Sequence, residues 1–295
     1  MKSNRLKDLI RNQSNSISFE EYRLRYATER FLVRIQESNY RDKLILKGGF
    51  LLGTIYQIEQ RTTKDLDTLI SNISSDRNTV FGMLKDIVSI DFDDGVSFEL
   101  IDLQDSQLNR VYDGYRAKLK MIFIDEKTFV QFDLDLGVGD TITPSPKLIE
   151  IHLLFNESKH ETEVIELYSY PLETILAEKT EIILTLGTSN SRMKDFYDTY
   201  LILSDSNRPT IEESYIAFYN TWSFRHKDET INEELFEDWF FTIDELISDN
   251  SIKNQSWKNY IKDREYAKEL KIEDILQKFK VFIEELFGIF QQENK

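Results

Sequence analysis

The stretch T-K-D-L-D-T-L-I (63–70) sets two carboxylates, Asp65 and Asp67, two positions apart in a run that reads as a β-strand. Alternate side chains of a strand share a face, so the two acids are expected side by side. Held that close they repel one another unless a cation lies between them, and hard oxygen ligands suit Mg2+. An isolated pair of this kind reads most simply as solvated acids at a strand end. A second acidic pair changes the balance. In V-Q-F-D-L-D-L-G-V-G-D (130–140), Val130, Phe132, Leu134 and Leu136 alternate onto one face and Gln131, Asp133 and Asp135 onto the other. Three carboxylates from two neighbouring strands form a ligand set for two Mg2+ ions in in-line phosphoryl or nucleotidyl transfer.

Three further groups add to this chemistry. K-G-G-F (47–50) places adjacent glycines after a strand and before a helix, where backbone N–H groups can approach an anion; taken alone it reads as a tight turn. Lys179 falls on the apolar stripe Leu172, Ile175, Leu176, Ile182, Ile183 and Leu186 of one helix. A lysine there costs stability unless its stem snorkels or its ammonium meets an anion; the expectation is that it points inward, toward Asp67 and Asp135. N-S-R-M-K-D-F-Y-D (190–198) opens the next helix, capped by Asn190 or Ser191, with Met193, Phe196, Tyr197, Tyr200 and Leu201 apolar and with Arg192 and Asp195 opposite. Its charges alone describe a solvated face with i,i+3 ion pairs. The short turn before it makes the two helices antiparallel neighbours.

The elements that position these groups follow from periodicity. Ser18 and Glu21 form a capping box ahead of Leu24, Ala27, Phe31 and Ile35 at helical spacing. Residues 44–46 read as a buried strand and 50–59 as a helix. Segments 116–124 and 128–138 alternate as a hairpin; with a two-residue turn at Glu126-Lys127 the expected pairs are Met121–Phe132, Leu119–Leu134, Lys120–Asp133 and Lys118–Asp135. Segments near 150–155 and 162–168 read as further strands, and Pro171 and Gly187 bracket a helix. All that follows reads as helical, which divides the chain into an α/β lobe, 1–168, and a helical lobe, 169–295.

Composition bounds the possibilities. The chain has 295 residues, 40% of them hydrophobic, a net charge of −16 and no cysteine, so it folds around a core without disulfides or thiolate metal sites. His152, His160 and His226 are scattered, against a zinc centre. The opening residues lack the apolar core of a signal peptide and no stretch reads as a membrane span, so the expected address is cytoplasmic. The acidity argues against non-specific nucleic-acid binding over the whole surface, but not against a local basic groove or a metal that supplies positive charge.

In order, GG, R-T-T-K-D-L-D, L-D-L-G-V-G-D, Y-P-L-E-T-I-L-A-E-K and N-S-R-M-K-D-F-Y-D resemble the AbiEii/AbiGii toxin family of nucleotidyltransferases, over about residues 18–205; no motif after 205 is matched. The resemblance implies a polymerase-β-like minimal nucleotidyltransferase core (a mixed α/β sheet with helices) followed by a helical region. It also implies the toxin half of a bacterial toxin–antitoxin or phage-abortive-infection system. Several members resemble tRNA nucleotidyltransferases in activity, adding nucleotides to the tRNA 3′ end. Carried over by motif, Asp65, Asp67, Lys179 and Asp195 are catalytic. Asp65 and Asp67 bind Mg2+ with Asp135, which matches the third acid better than Asp133 because it opens the D-x-G-x-G-D ending at Asp140. Gly48 and Gly49 cradle the triphosphate, with Lys47, Arg61, Thr63, Arg192 and Lys194 as further nucleotide-binding positions. The implied partners are an NTP, tRNA and a cognate antitoxin, without a membrane. G-G-F stands where many members have a glycine–serine pair, so that serine's role does not carry over. Transfer to a protein or small molecule, and an inactive nucleotide-binding module, are the alternatives.

Overall fold

The structure, a computed structural model, describes residues 1–13, 17–58, 65–106, 114–155 and 163–294. The chain forms two compact units: Met1–Asp140 with Pro146–Ser169, and Thr141–Ser145 with Tyr170–Lys295.

The first unit contains α1 (Ser3–Arg11), α2 (Phe19–Glu37), β1 (Leu44–Lys47), α3 (Gly48–Ile55), β2 (Asp65–Ile70), α4 (Arg77–Val88), β3 (Val96–Asp105), β4 (Gly114–Phe123), β5 (Phe129–Val138), β6 (Lys147–His152) and β7 (Val164–Ser169). The strands make one mixed sheet in the order β3-β4-β5-β2-β1-β7-β6. β2–β5 and β1–β7 are parallel pairs and the remaining neighbours are antiparallel. The mixed α/β core expected from the sequence is therefore present.

The Ser18–Glu21 capping box starts α2 as expected, with the Glu21 N–H donating to Ser18 Oγ at 3.3 Å and the Ser18 N–H to Glu21 Oε2 at 2.7 Å. Phe31 of α2 meets Phe98 and Phe132 of the sheet at centroid separations of 5.7 and 5.8 Å. This helix buries more than its apolar stripe: Arg30 and Arg34 are also fully buried. Arg34 donates to both carboxylate oxygens of Asp94, at 3.0 and 2.9 Å, and to the Val96 carbonyl at 2.9 Å. Its guanidinium stacks on Phe98 at 4.6 Å. A charge so enclosed is tolerated only with such a matched partner.

The β4–β5 hairpin keeps the expected faces but not the expected register. Leu119 pairs with Phe132, Met121 with Val130, Lys118 with Asp133 and Arg116 with Asp135, a slide of two residues. The cause is the turn. Phe123 donates to the Thr128 carbonyl at 2.8 Å and accepts from the Lys127 N–H at 2.9 Å, closing a four-residue connection. A two-residue primed turn needs φ > 0 at both central positions, which Glu and Lys disfavour; the longer turn has a positive φ at Lys127, 54°. A shift of two preserves each side chain's face.

The second unit contains α5 (Leu172–Leu186), a 3-10 turn (Gly187–Ser189), α6 (Met193–Ser204), α7 (Ile211–Arg225), α8 (Glu233–Ser248), a π-helical stretch (Ile252–Trp257), α9 (Lys258–Ile261), a 3-10 turn (Glu265–Ala267) and α10 (Ile272–Glu293). Trp239 anchors its core, edge-on to Trp222 at 4.6 Å and to Phe218 at 5.3 Å. The Thr141–Ser145 strap belongs here: the Thr143 N–H donates to Thr174 Oγ1 at 2.9 Å, Thr174 Oγ1 donates to the Thr143 carbonyl at 2.8 Å, and Asn220 Nδ2 donates to Thr143 Oγ1 at 3.1 Å. Among the described residues no helix is long and apolar enough to cross a membrane.

Candidate active site

Two groups of candidate side chains emerge, one in each unit. In the first unit β2 and β5 run parallel in a register that sets Asp65 beside Asp133 and Asp67 beside Asp135. Because residues two apart share a face, all four carboxylates lie on one side of the sheet. The opposite side of β5 carries the buried Phe132, Leu134 and Leu136. The apolar alternation that builds the core thus also lines up the acids.

The β1–α3 turn closes on this strip. Lys47 pairs with Asp67 in the β1–β2 ladder, and its ammonium meets Asp140 Oδ2 at 3.0 Å. Gly48 has φ +73°, and a Cβ built there would lie 2.1 Å from Asp67 Oδ2. Only glycine supplies both the backbone conformation and the space. The amides of Gly48, Gly49 and Phe50 form the first turn of α3, where N–H groups have no partner within the helix. Gly48→Ala should therefore displace the Asp67 carboxylate and cost about 1–3 kcal/mol in backbone strain alone. A melting curve checks the stability, and equilibrium binding of an NTP checks the site; unchanged values for both would show that the turn accommodates a side chain.

On the other flank Arg116 lies directly opposite Asp135. It donates from Nε to Oδ1 at 2.6 Å and from Nη2 to Oδ2 at 2.7 Å, the bidentate fork favoured by guanidinium–carboxylate pairs. These bonds to Asp135, with the field of Asp65 and Asp133 added, hold the guanidinium well above its ordinary pKa. Among the described residues no three His, Asp or Glu side chains are gathered closely enough to hold a metal ion. The donor chemistry of Asp65 and Asp67 fits a hard divalent cation. Asp135, 4% exposed, has both oxygens engaged by Arg116.

The second group joins α5 to α6. Lys179 Nζ lies 2.9 Å from Asp195 Oδ1 and 2.7 Å from Asp198 Oδ2. Arg192 Nε adds an ion pair to Asp195 Oδ2 at 2.7 Å. Asp195 and Asp198 are each 1% exposed, so the charged run of 190–198 is no solvated face. Burial would depress the Lys179 pKa, but Asp195 and Asp198 outweigh it and hold the ammonium above its ordinary value. Burial likewise opposes the charge on Asp195, and Lys179 with Arg192 holds its carboxyl below the usual range. The ammonium is thus kept charged and shielded from solvent, and its ion pairs are with Asp195 and Asp198 of α6, where the sequence reading expects Asp67 and Asp135. On the same helix, Arg225 Nη1 meets Glu181 Oε2 at 2.6 Å and His226 Nε2 lies 2.9 Å from Glu181 Oε1, tying α5 to α7.

Asp198 was missed by sequence reasoning, although its i,i+3 spacing from Asp195 puts both on one helix face. Lys194 is exposed, and Arg192 stands half-exposed at the N-cap, its N–H donating to Asn190 Oδ1 at 2.8 Å. Arg61 and Thr63 lie outside the described residues.

A family model described as nucleotidyl transferase AbiEii toxin, type IV TA system, matches residues 30–280. Among solved structures, a candidate nucleotidyltransferase from H. pylori is similar at 14% identity, over 94% of this chain and 98% of that chain, with a TM-score of 0.49. JHP933 from Helicobacter pylori is similar at 15% identity, over 92% of this chain and 94% of that chain, with a TM-score of 0.46. No curated protein matches the sequence.

Proposed function

Because the chain belongs to the AbiEii nucleotidyl transferase toxins of type IV toxin–antitoxin systems, we propose that it moves a nucleotide from an NTP to an RNA acceptor, the tRNA 3′ end, in a Mg2+-dependent reaction. Blocking the tRNA end would stop aminoacylation, and with it translation and growth, as a phage-defence or toxin–antitoxin response in the cytoplasm, opposed by a cognate antitoxin. The observation that supports this most directly is the Asp65/Asp67 pair in parallel register with Asp133/Asp135, with Gly48 turned against Asp67.

Mg2+ held by Asp65 and Asp67 would supply charge neutralisation at the triphosphate and activation of the attacking hydroxyl. The protein's own groups do the rest. The amides of Gly48 and Gly49 offer donors to phosphate oxygens, aided by the dipole of α3. Lys47 adds a cation beside them. Lys179 is the proposed counter-charge to the developing negative charge of the transition state; Asp195 and Asp198 keep its ammonium protonated and in one orientation.

A net charge of −16 opposes a polyanionic acceptor and favours a second reading, transfer to a protein or small molecule. Each labelled NTP, incubated with Mg2+ and either total tRNA or an RNA-free extract, separates the two. Label at the tRNA 3′ end that disappears with EDTA is the expected result. Label confined to the extract would assign the other acceptor, and no label in either would leave a binding module.

A further inference from the structure

The acidic strip is flanked by cations that the sequence-matched motifs do not contain, and one of them stands where the third metal ligand would be needed. Arg116 is fixed there by the backbone: the β4–β5 register, set by the four-residue turn at Ile124–Lys127, puts its Cα opposite that of Asp135. Two hydrogen bonds of 2.6 and 2.7 Å use both carboxylate oxygens. The Arg116 side chain remains 43% exposed while that of Asp135 is 5% exposed, so the arginine can swing away and the acid cannot.

We infer that Arg116 is a built-in counter-ion that competes with divalent metal for Asp135, so that metal alone engages only Asp65 and Asp67, and Asp135 is released when a metal-bound triphosphate offers its oxygens to the guanidinium. This rests on the reading of Asp65 and Asp67 as a metal site. Its consequence is coupled binding: metal and nucleotide each bind more tightly when the other is present, and without either the buried Asp135 keeps a matched counter-charge. A guanidinium suits this because its planar fork matches a phosphate edge as well as a carboxylate, which an ammonium does not.

Mn2+ binding to the nucleotide-free protein, followed by loss of the free-ion electron paramagnetic resonance signal, tests the inference without any turnover. Arg116→Gln keeps a hydrogen-bonding stem beside Asp135 and removes the charge, so Mn2+ should bind roughly tenfold more tightly than to wild type, with one positive charge gone from a few ångströms away. Arg116→Lys, which keeps the charge but not the fork, should fall between them. Lys118→Gln removes an equal charge from the same strand, opposite Asp133, and should change the affinity by only about twofold because the side chain is exposed and screened. In melting curves, Mg2+ alone should stabilise Arg116→Gln more than wild type. Unchanged Mn2+ affinity in Arg116→Gln, with Asp67→Asn losing Mn2+, would overturn the role of Arg116 and leave the metal site standing. An equal gain in Lys118→Gln would likewise overturn it, reducing the effect to general field. If Asp67→Asn binds Mn2+ as wild type does, the metal reading falls and the inference with it.

Discussion

Asp67→Ala should abolish nucleotide transfer, lowering it by roughly 10³-fold or more if the carboxylate positions the ion that neutralises the reacting phosphate. The substitution removes one acid from a strip of four without touching the buried face of β2, so repulsion falls and the melting temperature should stay level or rise slightly. Growth arrest on expression should vanish in step with transfer. Asp65→Ala should behave alike. A mutant with near-wild-type Mg2+-dependent transfer would remove these acids from the chemistry. A mutant that is inactive because it fails to fold would place them in the scaffold.

Lys179→Met should cost both activity and stability. From the sequence, with the lysine on an apolar stripe, the swap reads as neutral or favourable to folding. The structure reverses that expectation. The ammonium is the partner of two carboxylates, each 1% exposed. Methionine fills the volume but removes the cation that two buried carboxylates share, leaving Arg192 on Asp195 alone, a loss of about 3–5 kcal/mol and on the order of 10 °C in melting temperature. Adding Asp195→Asn and Asp198→Asn to Lys179→Met should recover much of the stability but no activity, which separates the electrostatic penalty from the chemistry. The pH dependence follows the same signs. Asp195 titrates below its ordinary value, so its contribution is present above that value and is lost as acid brings the pH through the lowered one. Lys179 titrates above its ordinary value, so its contribution is full below that value and is lost as base carries the pH through the raised one. In wild type the cluster should be flat across the neutral range, and a stability maximum confined to acid pH would contradict the pairing.

The local signals in the chain were legible because they act over a few residues. The Ser18–Glu21 box, Gly187 past the end of α5, and the period-two runs of β4 and β5 each carry their own physics. They fixed which side chains share a face, and so placed Asp133 and Asp135 away from the core. Register was harder, because it depended on a turn whose residues suit neither short hairpin type, and the pairing slid by two. The sheet order is set by pairings far apart in sequence, and β3, α1 and α4 carry no pattern that stood out. Charge inside the protein was the least legible part. Arg30, Arg34 and Asp94 look like surface residues until the fold brings a partner 60 residues distant to Arg34. Arg116 and Asp198 belong to the same class: their roles come from what lies opposite them.

The Thr141–Ser145 strap has a consequence for how such a protein can be cut or inherited. A fragment that begins at Tyr170 contains every helix of the second unit, yet lacks Thr143, on which the buried Thr174 hydroxyl depends for both a donor and an acceptor. One unpaired buried hydroxyl costs about 1–3 kcal/mol, and Asn220 loses a partner as well. A single recombination junction, whether made by evolution or by a cloning design, therefore cannot exchange the helical unit cleanly. The two units are separate bodies of structure written as one indivisible stretch of gene.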